Sequence, residues 1–136
     1  MQIIDTSTWQ SDGIWKIAPA GLTWIAEGAR ASIGEGASIG ARASIGEWAR
    51  IGEWASIGEG ASIGPNSSDA LDIGWADGYR KCIAQVDGVA YIGAGCRWFT
   101  LDAAIKHWSN KPNRELTMCL MQSAVGIAKL RGWSHS

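Results

Sequence analysis

Two tryptophans and three arginines carry most of the chemical potential of this 136-residue chain: Trp48, Trp54, Arg30, Arg42 and Arg50. An indole presents a flat face to a ring, and a guanidinium gives charge-assisted bonds to phosphate. Together they are a minimal kit for a nucleotide-like anion. The competing use of Trp48 and Trp54 is packing against a neighbouring subunit or against the rest of the chain. His107 and His135 are the two histidines, too scattered to converge on a metal. His107 is expected on or packed along a helix, and His135, next to the last residue, is expected to be disordered. Arg80 and Lys81 are expected to be solvated. The glycines of GEGASIG and AYIGAGCRW satisfy loose phosphate-loop patterns, but no strand-to-helix transition follows either, so that reading fails on context. No metal and no cofactor is expected.

Composition narrows the field. Gly occurs 18 times and Trp 9 times, against one Phe and two Tyr. The net charge of −1 lacks the basic field of a long nucleic-acid binder, although a local basic pocket is compatible with it. No apolar run approaches the ~18 residues of a membrane span. The opening MQIIDTSTWQSDG has neither a basic n-region nor an apolar h-region, so no signal peptide is expected. Cys82, Cys96 and Cys119 are odd in number and widely spaced, with no CxxC pair, and are expected as small buried hydrophobes in a reducing, cytoplasmic setting.

Something must position Trp48 and the arginines, and the chain has a period that does so. Isoleucine stands at 33, 39, 45, 51, 57 and 63, glycine follows each, and alanine precedes each by two. Helix faces recur at 3.6, so a period of six is not helical. In-phase repeats of a short strand and a tight corner require a solenoid. Alternation puts Ala and Ile inside and Ser outside. Glycine beside each Ile suits a corner whose angles a Cβ would forbid, and the next two positions, among them Arg42, Trp48 and Trp54, are exposed corner residues.

The unit Ala-Ser/Arg-Ile-Gly-x-x resembles the hexapeptide repeat of left-handed parallel β-helix proteins, strictly over 31–64. The segment Ile25-Ala26-Glu27-Gly28 copies the unit with two extra residues, Ala29-Arg30, before the next. The resemblance implies three hexapeptides per triangular coil. Ile33 then stacks on Ile51, Ile39 on Ile57, Ile45 on Ile63, and Glu35 on Glu53. It also implies a homotrimer. Many members are acyltransferases with a coil or loop histidine as base; these coils have no histidine, so no catalytic residue carries over.

The expected fold is mainly β: an N-terminal cap over 1–24, left-handed β-helix coils over 25–64, a linker loop over 65–72, and an α+β C-terminal domain over 73–136. That last part reads as a hairpin about Asp87-Gly88, a helix LDAAIKHW capped by Thr100, and a second helix capped by Asn113 and stopped by Gly132. Leu116, Leu120, Ser123, Ile127 and Leu130 are expected to line the second helix's apolar face, flanked by Met121, Ala124 and Ala128. The segment GCRWFTLDAAIKHW resembles tails of small phage and prophage proteins. The functional expectation is a non-catalytic homotrimer of phage type that sequesters a small anionic, nucleotide-like ligand at Trp48, Trp54, Arg30, Arg42 and Arg50. The alternatives are a structural trimer whose tail grips a host defence protein, and a hexapeptide-repeat acyltransferase dependent on His107.

Overall fold

A computed structural model describes residues 2–3, 10–12, 15–17, 23–26, 32–33, 38–39, 43–46, 48–52, 55–95 and 97–136; before residue 43 it describes backbone alone. The protein is mainly β, with two helices and no closed barrel. Short strands come first: β1 (Gln2–Ile3), β2 (Gln10–Asp12), β3 (Trp15–Ile17) and β4 (Thr23–Ala26). The repeats supply β5 (Ser32–Ile33), β6 (Ser38–Ile39), β7 (Ala43–Ile45), β8 (Arg50–Ile51), β9 (Ser56–Ile57) and β10 (Ser62–Ile63). Then follow β11 (Ser68–Ala76), β12 (Tyr79–Val86), β13 (Val89–Ala94), β14 (Arg97–Thr100), α1 (Leu101–Ser109) and α2 (Glu115–Arg131).

The repeats pair parallel and in register at an offset of three hexapeptides. Ile33 lies beside Ile51, Ile39 beside Ile57, and Ile45 beside Ile63. Thr23, Trp24 and Ile25 of β4 pair with Ala43, Ser44 and Ile45, two residues beyond that offset, which accounts for the extra Ala29-Arg30 in the sequence. Identical residues stack because only that register returns every isoleucine to the same side. Ala43, Ile45, Ala49, Ile51, Ile57, Ala61 and Ile63 are buried, while Arg50 and Ser56 face outward. At the N-terminal side, β2 and β3 form an antiparallel pair that adds to β4, and β1 pairs antiparallel with β5. The Glu35–Glu53 stack lies outside the described residues, as do the side chains of Trp9, Trp15 and Trp24.

The corners correct one expectation. Each is a turn closed by a backbone bond, from Ala49 N to Gly46 O, Ala55 N to Gly52 O and Ala61 N to Gly58 O, all 3.3 Å. Positive φ does not fall on the glycine after isoleucine. It falls two residues later, on Gly60 (72°) and on Trp48 (61°), the third turn position where φ > 0 is required. At Gly46 and Gly64 the glycine is needed for space instead. A Cβ on Gly46 would stand 2.5 Å from Pro65 N, and one on Gly64 would run into the Trp98 ring.

Pro65-Asn66 turns the chain as expected, but Ser68 onward is strand rather than loop. Ser67 O accepts from Arg50 N at 2.8 Å, so the chain continues alongside β8. Two bulges, with Asp69 (φ 58°) and Gly74 (φ 128°), then turn β11 into the edge of an antiparallel sheet of order β11-β12-β13-β14. Pairing with β12 overrides the turn-like composition of the segment. The Asp87-Gly88 hairpin is present, and Asp77-Gly78 makes a second of the same kind between β11 and β12; both dipeptides have positive φ throughout.

This sheet is buried on both faces. Cys82 and Ala84 of β12 join the isoleucine core of the repeats. Ile83 packs with Ala90, Ile92 and the helices. Arg80 pairs with Asp72 at 3.5 Å and its Nε donates to Glu59 O, while Asp72 accepts from Gly58 N at 2.8 Å, tying the sheet to the last corner. Gly93 lies so close to Ser62 O that no side chain fits between them. Trp98, stacked on Tyr91 with ring centroids 5.4 Å apart, covers Gly64.

Thr100 caps α1 through Ala103 N, and Gly132, in the left-handed region, ends α2. Two details of α2 differ from expectation. Its cap position is Arg114, with no side-chain cap bond, because Asn113 is taken into a left-handed turn (φ 58°). Its fully buried line is Thr117, Met121, Ala124 and Ala128, while Leu116 and Leu130 are 58% and 90% exposed. The helix is apolar over much of its circumference, so periodicity does not select a face. The small side chains do, by allowing close approach to the sheet. The tail residue His135 is also placed, with Nδ1 3.6 Å from Asp102 Oδ1. Cys82 is buried, whereas Cys119 is exposed and Cys96 lies outside the described residues.

Two glycines equivalent in the repeat should therefore respond oppositely to a methyl group. Gly46→Ala meets rigid backbone and should cost about 1–3 kcal/mol. Gly52→Ala, with no described atom within 4 Å and no positive φ, should be neutral or stabilise by up to about 1 kcal/mol. Thermal or denaturant melts of the two variants check this.

Candidate functional site

The residues proposed from sequence are only partly placed. Trp48 stands 55% exposed at its corner, and Arg50 faces outward from β8. Arg30, Arg42 and Trp54 lie outside the described residues. The structure assembles a second basic and aromatic set that the sequence reading did not single out. It lines a cavity of about 260 Å³ between the sheet and the two helices.

Four cations reach this cavity: Lys81 from β12, Arg97 at the start of β14, Lys111 from the α1–α2 loop, and Arg114 at the head of α2. One carboxylate joins them, Asp77 of the β11–β12 turn. Tyr79, His107 and Trp108 supply rings. The grouping follows from the fold, since the sheet's turn at Asp77-Gly78 and the helix–helix loop open at the same end.

Lys81 is the outlier. It is 1% exposed, not solvated as the sequence suggested. Alternation along β12 sends it to the helix side with Ile83. There its ammonium donates to Ala76 O and, at 3.1 Å, to Tyr79 O. The Trp108 ring centroid lies 5.5 Å from Nζ and that of Tyr79 5.8 Å. Burial lowers its pKa below the ordinary 10.5, the Asp77 charge opposes that shift, and Arg114 adds to it. The charged form is disfavoured yet fully partnered by carbonyls and ring faces, the condition under which a buried ammonium is tolerated.

Asp77 is held by α2. Thr117 Oγ1, buried, donates to its Oδ2. That bond, followed by the charges of Arg114 and Lys81, keeps the carboxyl below its ordinary 3.8. His107 packs edge-on to Phe99 and Trp108, with centroids 5.7 and 5.5 Å away. Burial, then the charges of Arg97 and Lys111, lower its pKa below 6.5. The imidazole is therefore neutral at neutral pH. Among the described residues, neither Arg97 nor Lys111 has a carboxylate within ion-pair distance.

Cys82 is no part of this site. Burial pushes its thiol up to about 12, so it stays protonated and inert. Among the described residues, no group of three His, Cys, Asp or Glu could hold a metal, and no helix is long and apolar enough to cross a membrane.

The cavity was illegible in sequence because its residues come from separate turns and strands. One signal was available: Asp77-Gly78 repeats the dipeptide read as a hairpin at Asp87-Gly88, and would have brought Lys81 back beside Gly74.

Residues 30–65 match the family model described as bacterial transferase hexapeptide (six repeats). The match covers the repeats and stops before the sheet and helices that form the cavity. No curated protein and no solved structure matches the chain.

Two titrations test the electrostatics. The His107 imidazole, followed by NMR, should titrate below 6.5, and Lys111→Gln should raise its midpoint by removing a positive neighbour. Asp77, with a lowered folded pKa, contributes stability that is present above pH 3.8 and lost as pH falls through the folded value. Asp77→Asn should therefore lower stability at neutral pH and flatten the acid limb of a pH–melting curve below about pH 4.

Proposed function

We propose that the protein is a non-catalytic binding protein that captures a small anionic ligand, nucleotide-like at its largest, in the cavity between sheet and helices. One observation carries this reading: four cations and one carboxylate line a single cavity in a chain of net charge −1. Such a field raises the local concentration of anions, and the cavity walls screen it less than bulk water does.

The proposed framework is a short left-handed parallel β-helix over 25–64, assembled as a homotrimer in the cytoplasm. The match at 30–65 and the three in-register parallel pairings support the β-helix. Two coils bury little apolar surface, and a solenoid of that length gains from a partner. In its narrowest form the proposal is a phage-type sponge for a signalling nucleotide.

Two observations favour other readings. Trp48 holds a left-handed φ of 61° where Gly60 occupies the equivalent place. An exposed indole kept at a strained position suits the corner site of Trp48, Arg42 and Arg50. His107 lies in the cavity in the neutral form that a general base requires, which suits a transferase.

Native mass spectrometry of the full chain, mixed with cyclic and linear nucleotides and acyl-CoA, separates these readings. Capture in the cavity predicts about one small mass per chain, abolished in an Arg97→Glu/Lys111→Glu double variant. An adduct that survives in that variant and disappears with Trp48→Ala moves the site to the corner. Consumption of acyl-CoA that is lost with His107→Gln makes the protein an enzyme.

A further inference from the structure

The cavity is not electrically uniform. At one end Asp77, Lys81 and Arg114 act on one another, so a carboxylate compensates part of the positive charge. Lys81 is already committed to two carbonyls, and Arg114 Nη1 bonds to Pro112 O and Asn113 O. At the other end stands Arg97, two strands away from Lys81 across Ala94; it and Lys111 are the charges that act on His107, and neither has a carboxylate partner among the described residues. Their donors are available to a ligand.

Size adds a second constraint. A volume of about 260 Å³ lies under the roughly 300–1,000 Å³ of pockets that enclose drug-sized ligands. A base, a ribose and several phosphates together exceed it. One phosphate with a few carbon atoms does not.

Resting on the anion-capture reading above, we propose that this cavity is a site for a small phosphomonoester, with the phosphate at Arg97, His107 and Lys111 and a hydroxyl-bearing end at Asp77. A monoester is largely dianionic at neutral pH, its second pKa being about 6. Two unpartnered cations match that charge, the guanidinium by its planar fork and the ammonium as a point charge. The neutral imidazole adds a donor without a third charge. An ionised carboxylate only accepts hydrogen bonds. Asp77 therefore welcomes a hydroxyl or amine and repels a second phosphate, which discriminates against polyphosphates.

The test is calorimetric titration of the full-length protein with inorganic phosphate, propyl phosphate, glycerol 3-phosphate and ATP. Glycerol 3-phosphate should bind about tenfold more tightly than propyl phosphate, the worth of one hydrogen bond to a charged group. Arg97→Glu and Lys111→Glu, both at exposed positions, should weaken all the monoesters by tenfold or more. Asp77→Asn should erase the preference for glycerol 3-phosphate. Thr117→Val, which removes the same internal bond but keeps the carboxylate, should retain it and so controls for altered folding. ATP binding more tightly than glycerol 3-phosphate, while still sensitive to Arg97→Glu, overturns the monoester assignment and leaves the anion pocket standing. Phosphates that fail to bind, or that bind the two glutamate variants as well as the parent, overturn both.

Discussion

The structure depends on one register: isoleucine stacked on isoleucine at an offset of eighteen residues. Each stacked residue supplies apolar contact along the axis, and each pairing satisfies backbone groups that would otherwise be orphaned. The register also creates a problem. A stack of repeat strands only two deep has an exposed end close to every residue, and an uncovered end leaves both apolar side chains and unpaired backbone open to water. Most of the remaining chain is arranged around that end.

The four-stranded sheet covers it. Ser67 and β11 continue beside the last repeat strands, and then two bulges carry the strand into the four-stranded sheet. The joint is made by close approach at Gly93 and Gly64 and by the Asp72–Arg80 clamp on the final corner. Because this face of the sheet is taken, the helices must cover the other. A strand buried on both faces normally carries apolar residues throughout. Its central residues, Cys82, Ile83 and Ala84, do so in β12, and next to them Lys81 is fully buried, its ammonium meeting carbonyls and ring faces at the margin of the helical layer.

That exception gives the molecule its candidate site. Lys81 is held against the Trp108 ring, and Arg97, Lys111 and Arg114 line the same cavity. Asp77, which α2 holds in place through Thr117, is the carboxylate set among these cations. Repeat layer and site layer thus share one sheet: the side facing the coils provides anchorage, and the side facing the helices provides chemistry.

Short-range information was enough for the repeat. Its period, its register, the two-residue insertion at Ala29-Arg30, the Asp87-Gly88 hairpin and the Thr100 cap are all consequences of neighbours within a few residues or of a strict pattern. The same information could not say why a glycine follows each isoleucine. At Gly46 the reason is the backbone at Pro65 and at Gly64 the Trp98 ring, whereas Gly52 has open space, so one sequence pattern covers different needs. Nor could it orient α2, which is apolar around most of its surface, or convert Ser68–Ala76 from turn-like composition into strand. The cavity was least legible of all. Sequence places Lys81, Arg97, Lys111 and Arg114 far apart and counts them in a nearly neutral total. Only the packing of sheet against helices decides that their charges meet, because charge acts through space and sequence records order.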